Sequence, residues 1–211
     1  RFLISGLVGP IKKEVALGDG FMGLLMGPAF VVLYVLAGIP IARLADRSSR
    51  IMIICIGCVV WSLFTGLTGL ATGPVTLALC RVGVGIGEAA FVAPAYSLLA
   101  DYFKPERRGL AFAILGLATY FGQIAGYAGG PAIAKVYSWH AAFFAMAVPG
   151  FVLTGLAWLF IKEPPRAQMA KAQEALAPII GRLLQARSYI ALMIGMGLGT
   201  LSGVSFGSWG P

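Results

Sequence analysis

The chain has 211 residues, of which 59% are hydrophobic and only 11% charged, with a mean hydropathy of +0.88. A water-soluble domain carries roughly 25% charged residues, so this chain lacks the polar side chains to coat an aqueous surface and reads as a membrane protein. The net charge of +8 would suit a nucleic-acid partner, but the basic residues lie in short loops between apolar runs, the pattern of cytoplasmic loops, and a phosphate-backbone reader is excluded.

Spans follow from apolar runs bounded by charges and by Gly/Pro clusters. Residues 1–11 read as the end of a first helix, closed by Lys12, Lys13 and Glu14. Because Arg1 already sits in an apolar run, the expectation is that residues precede it; no signal peptide is read. A second helix is expected over 20–44 and a third over 51–71, closed by Thr72-Gly73-Pro74. The fourth covers 75–100, the fifth 109–136 and the sixth 139–161, ended by Lys162-Glu163-Pro164-Pro165-Arg166. A seventh begins at 188 and runs to 211. These runs are too long for barrel strands and suit spanning helices of about 20 residues. The fold class is all-α and polytopic.

Segment 167–187 differs. Leu176, Ile179, Ile180, Leu183 and Leu184 recur at helical spacing, while Lys171, Glu174, Arg182 and Arg187 lie largely off that stripe. It reads as an amphipathic helix in the membrane interface, tethering two bundles. The expected organisation is a six-helix bundle over 1–166, a linker over 167–187 and the start of a second bundle over 188–211. Arg43, Arg47 and Arg50, then Lys104, Arg107 and Arg108, then Lys162, Arg166, Lys171, Arg182 and Arg187 fall on one side. Lys12, Lys13 and Lys135 fall on the other. The richer side is cytoplasmic by the positive-inside rule, as in a bacterial inner membrane.

The fourth helix carries Arg81-Val82-Gly83-Val84-Gly85-Ile86-Gly87-Glu88. Seven residues of α-helix bring Arg81 and Glu88 to within about 20° of one another, about 10 Å apart along the axis. Each charge at bilayer depth costs roughly 2.5–3.5 kcal/mol on insertion scales. Two on one face imply a protein interior or a water-filled cavity, either as a functional pair or as a structural interhelical one. Burial raises a carboxyl pKa and a nearby guanidinium lowers it, so an acid whose arginine partner approaches and retreats can take and release a proton. Arg81 cannot carry that proton; it can pair with Glu88 or attract an anionic headgroup. Arg1 is a third charge within a span and joins the same cavity in this scheme.

The glycines of this helix suit close packing rather than a nucleotide loop, which needs a preceding strand. Gly122, Gly126 and Gly130 give the fifth helix a small-residue spacing, with a bend expected near Pro131. Thr119, Tyr120, Gln123 and Tyr127 line a cavity or simply pack. Asp46, with Arg47 and Arg50, lies in a loop where a carboxylate can meet a helix N-terminus or an arginine and latch one conformation. Cys55, Cys58 and Cys80 have no fourth ligand nearby for zinc, and His140 reads as interfacial, so no metal or cofactor is expected.

Leu44-Ala45-Asp46-Arg47 with Arg50 resembles the cytoplasmic loop signature of the major facilitator superfamily, although Ala42 and Ser49 stand at its glycine positions and Ile51 replaces its second basic residue. Arg81 with Gly85 and Gly87 is similar to the family's fourth-helix motif. Gly129-Gly130-Pro131 differs from the antiporter motif, in which Gly-Pro precedes the glycines. A narrower resemblance is to the spinster-type lipid transporters. It rests on Gly85-Ile86-Gly87-Glu88-Ala89, Ala93-Pro94, Leu99-Ala100-Asp101-Tyr102-Phe103, Arg107 and Arg108. Gly126-Tyr127, Pro149-Gly150, Glu163-Pro164-Pro165-Arg166 and the opening Arg1-Phe2 extend it across residues 1–166.

That resemblance implies a twelve-helix transporter, here its N-terminal half, linker and start of helix seven. It also implies proton-linked movement of amphiphiles such as lysophospholipids or sphingosine phosphates by a monomer among membrane lipids. Glu88 and Arg1 then sit in the cavity and Asp46 at the gate. A major facilitator carrier for a small polar solute, drug or organic anion is the alternative. A membrane-embedded lipid-modifying enzyme is a different class, and no Ser/His/Asp grouping at membrane depth serves it.

Overall fold

The computed structural model describes residues 2–165 and 176–209. The described elements are all helical and fall into two compact units, Arg1–Ala167 and Gln168–Pro211.

In the first unit, α1 (Leu3–Gly6) and α2 (Val8–Val15) flank Leu7 and end at Ala16, which takes a left-handed φ of 52°. Leu3, Ile4, Leu7 and Ile11 bury one face of this segment in a core completed by Met22, Leu77, Ala142 and Phe143. The second span is interrupted: α3 (Asp19–Met26) and α4 (Pro28–Arg47) meet at Gly27. Pro28 lacks an N–H and restricts the residue before it, so the break falls where glycine tolerates it. The helix continues past the expected stop at Leu44 to Arg47, and α5 (Arg50–Thr68) starts after Ser48 and Ser49. The loop expected over 42–50 is thus mostly helix. Ser49 caps α5, its Oγ accepting the Met52 N–H, which satisfies one of the otherwise unpaired first-turn donors.

The fourth span is also two pieces, α6 (Pro74–Ala89) and α7 (Val92–Tyr102). Pro94 cannot donate to the Ala90 carbonyl four residues back and its ring crowds that carbonyl, so Ala90 and Phe91 leave the α-helix. The fifth span runs as α8 (Pro105–Ile124), a π-helical turn (Ala125–Gly129) and α9 (Gly130–Val136). Its winding changes immediately before Pro131, the wide turn absorbing the missing donor. The sixth span is α10 (Trp139–Phe160), capped by Ser138.

Among the described residues, five stretches are long and apolar enough to cross a bilayer: Asp19–Arg47, Arg50–Thr68, Pro74–Tyr102, Pro105–Val136 and Trp139–Phe160. Leu36, Leu110, Phe121 and Leu159 are exposed on them, as suits helices whose solvent is hydrocarbon. The second unit holds α11 (Leu176–Gln185) and α12 (Arg187–Trp209). The earlier part of the expected linker, 167–175, lies outside the described residues.

Glycine decides how α6 packs. A methyl group built on Gly57 would lie 2.5 Å from the Ala90 Cβ and 2.7 Å from the Gly87 carbonyl oxygen. One built on Gly87 would lie 2.6 Å from the Trp61 nitrogen and 2.7 Å from the Gly57 carbonyl oxygen. The backbones of α5 and α6 therefore touch at this crossing, the use of small residues expected between membrane helices. In the fifth span, Gly126 and Gly130 pack on Phe2 and Leu3, whereas Gly122 faces open space.

Candidate functional site

Arg81 and Glu88 both lie on α6, with Gly85 between them in register. Arg81 is 6% exposed and Glu88 half-buried. The Arg81 guanidinium carbon sits 4.9 Å from the centre of the Phe30 ring of α4, so this charge faces a protein neighbour, with the ring's electron-rich face toward the cation. Phe30 is itself 2% exposed and lies against Gly85, where an added methyl would come within 3.4 Å of the ring. Tyr34, one turn further along α4, stacks on Phe30 with ring centres 6.3 Å apart. Past it opens an apolar groove of about 270 Å³ between α4 and the break in the fourth span, lined by Tyr34, Gly38, Ile39, Ala89, Val92 and Ala93, among others.

The remaining cavity candidates are placed differently. Tyr120 is exposed and Gln123 half-buried, both on α8, which packs mainly on α7 and the π-helical turn. Arg1 lies outside the described residues.

A second polar site forms at the Ser49 end of α5. Arg50, 3% exposed, donates through Nε to Glu163 Oε1 at 2.7 Å. Its Nη1 donates to Asp101 Oδ2 at 2.5 Å, to the Ser97 carbonyl at 3.2 Å and to Ser97 Oγ at 3.1 Å. Glu163 Oε2 accepts from Ser49 Oγ at 2.9 Å and from the Ile51 N–H at 3.1 Å. Burial pushes the Glu163 carboxyl up, but the hydrogen bonds from Arg50, Ile51 and Ser49 together with the Arg50 charge outweigh it, holding the group below the usual carboxylate range. The Tyr102 hydroxyl donates to the Lys162 carbonyl alongside. One guanidinium thus joins α5, α7 and the segment after α10.

Sequence reasoning grouped Arg50 with Asp46 and Arg47 in one loop. The structure separates them: Arg50 is buried, while Asp46 and Arg47 are exposed in the last turn of α4. Asp101 and Glu163 are site residues that reasoning from the sequence passed over. The available signal was a lone acid at the end of an apolar run on the side where basic residues gather.

At the opposite end of the bundle, the Trp139 indole donates to Glu14 Oε2 at 2.6 Å, and His140 Nε2 lies 3.5 Å from Glu14 Oε1. Lys12 pairs with Asp19 nearby. The Glu14 contacts fasten α2 to α10, and the Lys12–Asp19 pair ties it to α3. Among the described residues, no three His, Cys, Asp or Glu side chains gather as metal ligands would.

The sequence model of the Major Facilitator Superfamily matches residues 1–211. An "MFS-type efflux pump" of Mycolicibacterium smegmatis is 32% identical over 100% of this chain and 49% of its own length. "Protein spinster homolog 1" of Xenopus tropicalis is 30% identical, over 82% of this chain and 34% of its own. A crystal structure of a bacterial homolog to the human lysosomal transporter Spinster, inward-facing and occupied, superposes with a TM-score of 0.66 at 32% identity, covering 80% of this chain and 42% of that one. The chain spans between about a third and a half of the length of these relatives.

Proposed function

The chain belongs to the Major Facilitator Superfamily, and from that premise we propose that it supplies the first bundle and linker of a secondary transporter that moves an amphiphile by alternating access coupled to protons. Its family and all-α fold are those of transporters, and it is a multi-pass membrane protein. The bundle occupies 1–166, the linker 167–187 and the start of the second bundle 188–211. The basic loops face the cytoplasm of a bacterial cell and the carrier works as a monomer.

The observation that carries this reading is the charged face of α6. Arg81 is buried against another helix within a stretch long and apolar enough to cross a bilayer, and Glu88 lies half-buried on the same face. Two bundles rocking about a midplane site change the surroundings of such a face at every turnover. Glu88 takes a proton in one arrangement and releases it in the other, and Arg81 steadies either the ionised acid or an anionic group on the cargo. Arg1, Tyr120 and Gln123 complete the lining. Asp46, Arg47 and Arg50 set the cytoplasmic gate, with Arg50 bracing its foundations through Asp101 and Glu163.

The resemblance of residues 1–166 to spinster-type lipid transporters suggests a lysolipid or sphingolipid-like cargo, and the apolar groove beside the fourth span suits an acyl chain. The second reading, a small polar solute, drug or organic anion as cargo, is kept by the relative named as an efflux pump. The test is uptake into proteoliposomes by the whole transporter across a pH gradient. Glu88→Gln is expected to abolish the pH dependence, and an unchanged dependence removes Glu88 from coupling. A thermal-shift screen in which a sugar stabilises the transporter and lysolipids do not overturns the cargo assignment.

A further inference from the structure

Arg81, Gly85 and Glu88 mark one face of α6 at intervals of four and three residues, so whatever covers Gly85 stands between the two charges. That cover is Phe30. Its ring lies over Gly85, 3.4 Å from where a Cβ would stand, and 4.9 Å from the Arg81 guanidinium carbon. Ring and guanidinium are both nearly sealed, at 2% and 6% exposure. Glu88, beyond the ring, keeps partial exposure. The two charges of one face are therefore presented unequally: the acid is reachable and the base is lidded.

The lid is mounted where it can move. Phe30 is in the first turn of α4, three residues after the Gly27 break that separates α4 from α3. Its outer neighbour is the Tyr34 ring, stacked at 6.3 Å, which itself borders the open groove. A methyl group at position 85 would meet the ring at 3.4–3.5 Å, an ordinary contact distance, so the ring covers this face of α6 without being pressed against its backbone.

We propose that Phe30 is a positioning residue, a movable aromatic cover that screens Arg81 in this arrangement and swings aside to present the guanidinium to a phosphate or carboxylate group of the cargo. This rests on the transport reading above. While the cover is down, Glu88 is the more accessible of the two charges; when it lifts, the cation enters the cavity. A cover that must be displaced also lowers apparent affinity by the fraction of time it is closed, so removing it tightens the binding of anions and leaves cations alone.

The test uses the whole transporter in nanodiscs and does not depend on turnover. Phenylglyoxal modification is followed at Arg81 and at Arg50 by mass spectrometry. Phe30→Ala is expected to speed modification of Arg81 by about tenfold or more and leave Arg50 unchanged, with Phe30→Leu between the two. Binding of dodecyl phosphate is expected to tighten severalfold in Phe30→Ala, and binding of dodecyltrimethylammonium to stay as in the parent. An Arg81 rate unmoved in both variants overturns the cover. A faster Arg81 with no gain for dodecyl phosphate over dodecyltrimethylammonium overturns the anion contact. If Phe30→Ala also accelerates Arg50, the bundle has loosened, and the decision passes to Phe30→Leu, in which an Arg81 rate equal to the parent's overturns the proposal. Loss of proton coupling with these labelling results intact would fault the transport reading alone.

Discussion

The contact between α5 and α6 at Gly57 and Gly87 predicts a specific pattern of instability. Alanine at position 57 places a methyl 2.5 Å from the Ala90 Cβ, and alanine at 87 places one 2.6 Å from the Trp61 nitrogen. Carbon atoms settle about 3.5–4.0 Å apart, so either substitution forces the helices apart by about 1 Å. In both cases the obstruction includes backbone, which has no rotamer through which to escape. Overpacking of this kind costs about 1–3 kcal/mol, and each single variant should lose that much. Both changes open the same crossing, so Gly57→Ala with Gly87→Ala should cost less than the sum, leaving a coupling of about 1 kcal/mol. Gly109→Ala and Gly116→Ala, with no atom within 4 Å of the added methyl, serve as controls and should gain up to about 1 kcal/mol of helix propensity. Reversible unfolding in mixed micelles, followed by far-UV circular dichroism, gives all five values. If the single variants at 57 and 87 lie within about 0.5 kcal/mol of the parent, or if their effects add in full, the close crossing is refuted.

Two further outcomes concern the Arg50 cluster. Because the folded Glu163 carboxyl is held below its unfolded value, its contribution is complete above the unfolded pKa of about 4.3 and is lost as pH falls through the folded one; a melting-temperature series from pH 6 to pH 3 should therefore drop more steeply for the parent than for Glu163→Gln, and parallel curves would contradict the contact. Ser49→Ala removes at once the cap on Met52 and the hydrogen bond to Glu163, a loss of about 1–2 kcal/mol in thermal unfolding, whereas Ser49→Thr should stay close to the parent.

The second to sixth spans were legible because length and apolarity alone specify them, and the shared face of Arg81 and Glu88 is arithmetic on a helix. Interruptions were only partly legible. The bend expected at Pro131 has its counterpart in the π-helical turn just before it, yet Pro28 and Pro94 split their spans in runs that hydropathy alone reads as continuous. Arg50 was misplaced because a charge at the edge of an apolar run reads equally as loop or as first helical residue. Its partners are 51 and 113 residues away in sequence, a distance over which no local pattern speaks. Phe30 carried no signal of its own. One phenylalanine among thirteen acquires a role only from the register in which α4 meets Gly85.

The interruption at Ala90 and Phe91 leaves Arg81 and Glu88 on one rod and Ser97 and Asp101 on another. Both rods are nonetheless fastened to α5, the first through Gly57 against Gly87, the second through Arg50 to Asp101 and through Ile51 and Cys55 packed with Leu98. The third span is therefore a splint across a fracture in the fourth. Flexure at the fracture is suppressed while both bindings hold, and releasing either one turns a rigid strut into a jointed limb whose two halves carry different charges.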